Sequence, residues 1–294
     1  MAPKLVVGYD GSDRSAEALA LGEAFAGALG LELLVVTAVP AAGYMFTEEE
    51  FERALEAQRE ALAESAGAQL VGEDVEFAVI TGSSPAAALH DYAEEIEPAA
   101  IVIGSAQHGA LGRILLGSVG SALLTGAPCP ILVAPHGYAA PGPGPFRRLG
   151  VGVDGSEESD AAMAVAGALA KRLGAELLAI AVAEPPNFGH LTLPALYESA
   201  AYREAIAEAM ERVLERALAE APEGVRASSR LAHGDAGLAL AEAAADVDLL
   251  VVGSRRYGPL RRALLGGVTH RLMHHCPSPL LVLPRDARPA AFGL

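Results

Sequence analysis

Tryptophan is absent from the chain of 294 residues, and phenylalanine and tyrosine number seven each. Aromatic stacking platforms for unpaired bases therefore have little to be built from. Cysteine occurs only twice, as Cys129 and Cys276. The first falls beside Pro128 and Pro130 and the second just before Pro277, so the pair does not form a disulfide framework, and a reducing, cytoplasmic setting is expected. Basic residues are scarce too: 21 Lys and Arg face 37 Asp and Glu, for a net charge of −16. That balance excludes a nucleic-acid partner, which needs a basic face. The chain is 52% hydrophobic, yet its apolar residues are alanines and short Val/Ile/Leu runs. None approaches the roughly 18 residues of a membrane span. The opening residues MAPKLVVGYD lead into a strand without a signal-peptide pattern. No Walker lysine, no Gly-x-Ser-x-Gly elbow and no H-E-x-x-H zinc motif appears.

What is present comes twice. VVGYDGS at 6–12 returns as GVGVDGS at 150–156, and IVIGSAQHGALGRILLGSV at 101–119 returns as LVVGSRRYGPLRRALLGGV at 250–268. Asp10 matches Asp154 at an offset of 144 (154 − 10), whereas Gly104 matches Gly253 at 149 (253 − 104). At the later offset Cys129 aligns with Ser278, so the two thiols do not correspond. Two homologous domains of about 150 residues fit the length. The expected boundaries are 1–136 for the first domain, 137–146 for a linker, 147–286 for the second domain and 287–294 for a loose tail. HGYAAPGPGPF carries the linker, since alternating Pro and Gly sustain neither a helix nor an interior strand.

Within each half, apolar β-branched runs alternate with alanine-rich or amphipathic stretches. KLVVGY, ELLVVTAV, EFAVITG, AAIVIG and PILVAP are the strands of the first half. LGVGVD, ELLAIAV, VRASSRLAH, LLVVGS and PLLVLP are those of the second. Ser12 and Ser156 stand at helix N-cap positions. The alternation predicts βαβ units and an α/β fold: two tandem open parallel five-stranded sheets, Rossmann-like in order 3-2-1-4-5, flanked by helices. In such sheets ligands bind beyond the carboxyl ends of the strands where the strand order reverses. Asp10 and Gly104 end the first and fourth strands and would border one crevice. Gly104, Gly109, Gly112 and Gly117 would let backbone approach a ligand, and Ser118 opens a helix whose free amides suit an anion. A tight connection explains the same glycines equally well.

These motifs, in this order and in both halves, resemble the universal stress protein family in its tandem form. The family's phosphate loop is a glycine, two residues, a glycine, nine residues, then glycine with serine or threonine. Here the frame falls on Gly104, Gln107, Gly117 and Ser118, and again on Gly253, Arg256, Gly266 and Gly267. The resemblance implies a cytoplasmic module that binds ATP or another adenine nucleotide, with Mg accompanying the nucleotide. Asp10 and Asp154 would lie beside the adenine or ribose, and the backbone of Ala38 or Val182 would meet the adenine edge. Gly117, Ser118 and Val119 would face the phosphates. It also implies a pseudo-dimer made within the chain through the apolar final strands, with further homodimerisation open.

The loops depart from the family's pattern. Gln107 and Arg256 replace the middle glycine, and Gly267 removes the second half's hydroxyl. The first half is therefore the better nucleotide candidate. Arg255, Arg256, Arg261 and Arg262 crowd the second loop, as phosphate ligands or as a solvated basic face. His270 and His274 share a helix face but lack the remaining zinc signature, and no metal is assigned. Neither aspartate has an evident partner for general-base work, so no catalytic residue is assigned. Two other classes stay open: a stress scaffold that binds no nucleotide and works through protein contacts, and a slow nucleotide hydrolase.

Overall fold

The computed structural model describes residues 2–41, 47–71, 75–105, 114, 117–126, 128–138, 146–184, 200–254, 267–284 and 287–294. They divide into two compact units. The first holds the N-terminal half together with Ala290–Leu294, and the second begins at Phe146.

In the first unit the described elements are β1 (Lys4–Gly8), α1 (Asp13–Leu29), β2 (Glu32–Pro40), α2 (Glu48–Gly67), β3 (Val75–Gly82), α3 (Pro85–Ile96), β4 (Ala100–Gly104), α4 (Ser118–Gly126) and β5 (Ile131–Ala134). The strands run parallel in the order β3-β2-β1-β4-β5. Leu5, Val6 and Val7 of β1 and Ile101 and Val102 of β4 are buried. Apolar residues in succession are what a parallel sheet covered on both faces requires. The second unit repeats the order with β6 (Arg148–Gly152), α5 (Glu157–Leu173), β7 (Glu176–Ala183), α6 (Ala200–Ala219), β8 (Ala227–His233), α7 (Ala236–Ala244), β9 (Leu249–Gly253), α8 (Gly267–His275) and β10 (Leu280–Leu283). Its strands are parallel in the order β8-β7-β6-β9-β10.

The helices start and stop where capping chemistry places them. Ser12 caps α1 and Ser156 caps α5, each accepting from the amide three residues on, and Gly30 and Gly174 end these helices in the left-handed conformation. Thr47 and Glu50 form a reciprocal capping box on α2. Ser84 caps α3 with Pro85 at its first position.

The tail differs from expectation. Pro289–Phe292 forms a 3-10 turn, and Phe292 is buried to 2% exposure within the first unit. Its ring meets Phe25 of α1 edge-on, with centroids 6.2 Å apart and planes at 82°. Burying one aromatic ring gains enough to order a short Pro- and Ala-rich segment that carries no periodic signal of its own.

Candidate functional site

At the carboxyl ends of β1, β2 and β4 the first unit has an open cavity of about 300 Å³. β1 has β2 on one side and β4 on the other, so the chain leaves the sheet in opposite directions from here. This is the switch point at which open α/β sheets bind ligands. Asp10, Ala38, Gly104, Gly117, Ser118 and Val119 all line the cavity. Every described first-half residue expected at the site is thus brought to one place.

Asp10 follows β1 and organises the turn into α1. Its Oδ1 accepts from the amide of Ser12 at 3.0 Å and from the Ser12 hydroxyl at 2.5 Å. Ser12 Oγ in turn accepts from the amide of Ser15 at 3.3 Å. Burial pushes the Asp10 carboxyl up. Hydrogen bonds from Ser12 and Ser15 and the nearby charge of Arg14 outweigh that, and hold it below the usual carboxylate range. The side chain is therefore an ionised acceptor at neutral pH, suited to hydroxyl donors. Asp154 makes the same turn with Ser156, at 3.0 and 2.5 Å. Capping the turn accounts for both aspartates without a ligand.

Ala38 is placed by register. β2 extends beyond β1: Gly8 is opposite Val36, whereas Thr37 to Pro40 have partners only on β3. The Val36 carbonyl accepts from the Tyr9 amide at 2.9 Å. Backbone groups two residues apart point to the same side of a strand. The N–H and C=O of Ala38 therefore face the side that β1 has vacated, which is the cavity. In the second unit the Val153 amide donates to the Ile180 carbonyl and sets Val182 in the same way, but the Val182 carbonyl accepts from the Glu184 amide at 3.0 Å.

Gly104 is glycine because α1 needs the space. A Cβ there would overlap the carbonyl of Arg14 and come within 2.7 Å of its carbon. Gly253 is under the same constraint, with the Glu158 carbonyl oxygen 2.6 Å from where its Cβ would lie. Gly117, Ser118 and Val119 enter or begin α4, and the Ser121 amide bonds the Gly117 carbonyl at 3.0 Å. The amides of the first turn have no acceptor within the helix. They converge on the cavity, which Gly120 also lines.

Several lining residues carry no motif in the sequence. Tyr9 is anchored by Gln69, whose Nε2 donates to its hydroxyl at 2.7 Å, and by Ser65 Oγ at 3.1 Å. Arg14 and Ser105 line the cavity beside Gly104, and the Arg14 Nε and Ser105 Oγ atoms are buried without a hydrogen-bond partner. The sequence signal available for Ser105 was its place next to Gly104. Arg14 sits in a polar helix start, where charge ordinarily means solvation.

Gln107, Arg255, Arg256 and Gly266 lie outside the described residues, as do Gly109, Gly112, Arg261 and Arg262. Gly267 begins α8, which carries His274 and His275 in its last turn. Among the described residues no group of three or more His, Cys, Asp or Glu side chains is arranged to hold a metal ion, and no helix is long and apolar enough to cross a membrane. Burial pushes the Cys129 and Cys276 thiols up to about 12, so neither is a nucleophile at neutral pH.

The fold is that of a pair of open parallel α/β domains carried in tandem on one chain. The universal stress protein family model matches residues 1–135 and again 145–284. Universal stress protein Rv2005c of Mycobacterium tuberculosis is 33% identical over 293 residues, covering 95% of this chain and 96% of that protein. A universal stress protein from Thermus aquaticus is 36% identical over 133 residues, which is 44% of this chain and 96% of its own length. The crystal structure of a universal stress protein from Archaeoglobus fulgidus shares the fold with a TM-score of 0.69 at 20% identity, over 96% of this chain and 98% of that one. The chain belongs to the universal stress protein family, with two of its domains in tandem.

Proposed function

We propose that the first-unit crevice binds an adenine nucleotide and that the protein works as a nucleotide-responsive binding module. One observation carries this reading: a cavity of about 300 Å³ at the strand switch point has Asp10, Ala38 and the start of α4 on its walls. Each wall suits a different part of a nucleotide. The Ala38 backbone offers a donor and an acceptor to the edge of a base, and the ionised Asp10 accepts from ribose hydroxyls. The α4 amides and the Ser118 hydroxyl donate to phosphate oxygens. The buried, unpartnered Ser105 hydroxyl is a donor that a bound acceptor would satisfy. Magnesium would arrive with the phosphates. The second unit is the weaker candidate, because Gly267 offers no hydroxyl where Ser118 does and the Val182 carbonyl is already engaged.

A second reading draws on Gly104. Its lack of a side chain is fully accounted for by the close approach of Arg14, so that glycine would persist in a scaffold that binds nothing. Calorimetry of the full chain with ATP, ADP and AMP separates the two. A hydrogen bond to a charged phosphate is worth roughly 1.5–3 kcal/mol, about ten- to a hundredfold in affinity. Ser118→Ala should weaken ATP binding by that factor, and Asp10→Ala should weaken all three nucleotides. Equal affinities in the parent and both variants would remove the crevice as the site. No heat with any nucleotide at millimolar concentration would leave the scaffold.

A further inference from the structure

We propose that Arg14 selects the charge of the ligand in the first-unit crevice, making it prefer a polyphosphate-bearing molecule to an uncharged nucleoside. The proposal rests on the nucleotide reading above and deepens it. Arg14 lies outside the glycine-rich loop, and no motif points to it.

Within each unit the same packing contact recurs, carried by Arg14 in the first and by Glu158 in the second. α1 comes so close to the end of β4 that Gly104 has no room for a Cβ against the Arg14 carbonyl. α5 makes the same approach to β9, where Gly253 faces the Glu158 carbonyl. Arg14 and Glu158 are equivalent residues at the offset that relates Asp10 to Asp154. The backbone contact fixes each side chain's origin at the end of the central strands. In the first unit this puts Arg14 on the cavity wall.

The groups around Arg14 are donors in need of an acceptor. Its Nε is buried with no hydrogen-bond partner, as is the hydroxyl of the neighbouring Ser105, a residue only 1% exposed. Both residues line the same cavity as Ser118, Val119 and Gly120 at the start of α4. Among the described residues no ion pair engages Arg14, whose charge acts on Asp10 at a distance. A guanidinium, a buried hydroxyl and a helix N-terminus facing one cavity form a set that an oxyanion satisfies and that a neutral hydroxyl ligand leaves largely unmet. Asp10, already held by Ser12, occupies the other part of the wall. The crevice thus has an acceptor side for hydroxyls and a donor side for phosphates.

Calorimetry on the full chain tests this with four probes: ATP, AMP, adenosine and inorganic tripolyphosphate. Arg14→Gln should weaken ATP and tripolyphosphate by roughly ten- to a hundredfold and leave adenosine within about twofold. Arg14→Lys should recover part of the loss, and added salt should weaken ATP less in Arg14→Gln than in the parent. Tripolyphosphate binding by the parent that Arg14→Gln abolishes would support the charge-selecting role whatever the base specificity. Equal weakening of ATP and adenosine by Arg14→Gln, or no change in either, would overturn it. Tight adenosine binding with no gain from added phosphates in the parent would overturn it too, leaving the nucleotide reading intact. A parent that binds neither ATP nor tripolyphosphate at millimolar concentration would remove both. Should Arg14→Gln fail to fold, Arg14→Met and Arg14→Lys read against the same four probes give the same contrast between charge and packing.

Discussion

Gly104 and Gly253 are each required by a packing contact with the carbonyl of a residue in the first helix of its unit. Gly104→Ala should destabilise the protein by about 1–3 kcal/mol, because the added methyl meets backbone and not a yielding side chain. Gly253→Ala should do the same. Gly27 is the control: it lies inside α1 with nothing within 4 Å of where a Cβ would stand, so Gly27→Ala should stabilise by about 0.5–1 kcal/mol. Urea midpoints of the three variants check the contrast in sign. Asp10 adds a pH dependence. Its folded carboxyl is held below its unfolded value, so its contribution is complete above the unfolded value and disappears as pH falls through the lowered folded one. The stability gap between the parent and Asp10→Asn should therefore be constant near neutrality and close progressively below pH about 4.

At the scale of elements, helix starts are where small changes matter most. Ser12→Ala and Thr47→Ala should each cost about 0.5–2 kcal/mol, read from chemical denaturation, since each removes the acceptor for an orphan amide. Strands were legible because β1, β4, β6 and β9 are buried on both faces, and a parallel sheet writes that burial as an apolar run. The Asp-Gly-Ser turns were legible because an Asx turn followed by a serine cap is a local pattern. The cavity was legible only in part. Asp10, Ala38 and Ser118 stand at strand and helix ends that periodicity locates, whereas Arg14, Ser105 and Tyr9 belong to it through contacts between elements distant in sequence. The tie of Tyr9 to Ser65 and Gln69 at the end of α2 is of that kind. Nothing in a run of residues announces it.

For the whole molecule, the misjudged segment is the most instructive. Phe292 has only Ala290 and Leu294 at alternate positions, too short a pattern to mark an element, so it reads as part of a tail, yet it is among the most deeply buried side chains of the first unit. Phe292→Ala should cost about 3–5 kcal/mol by leaving a cavity against Phe25. Hydrogen exchange should rise first in α1, with β6 to β10 keeping their protection. Equal loosening of both units would show that the ring supports more than the element it touches. Phe25 belongs to the first helix of the first domain, and its partner is made only after the entire second domain has been synthesised. The first domain must therefore wait, incompletely packed, while the second is built and folds. Order of synthesis and order of completion are reversed in this chain. A protein cut between its two domains would release a first domain that had never finished folding.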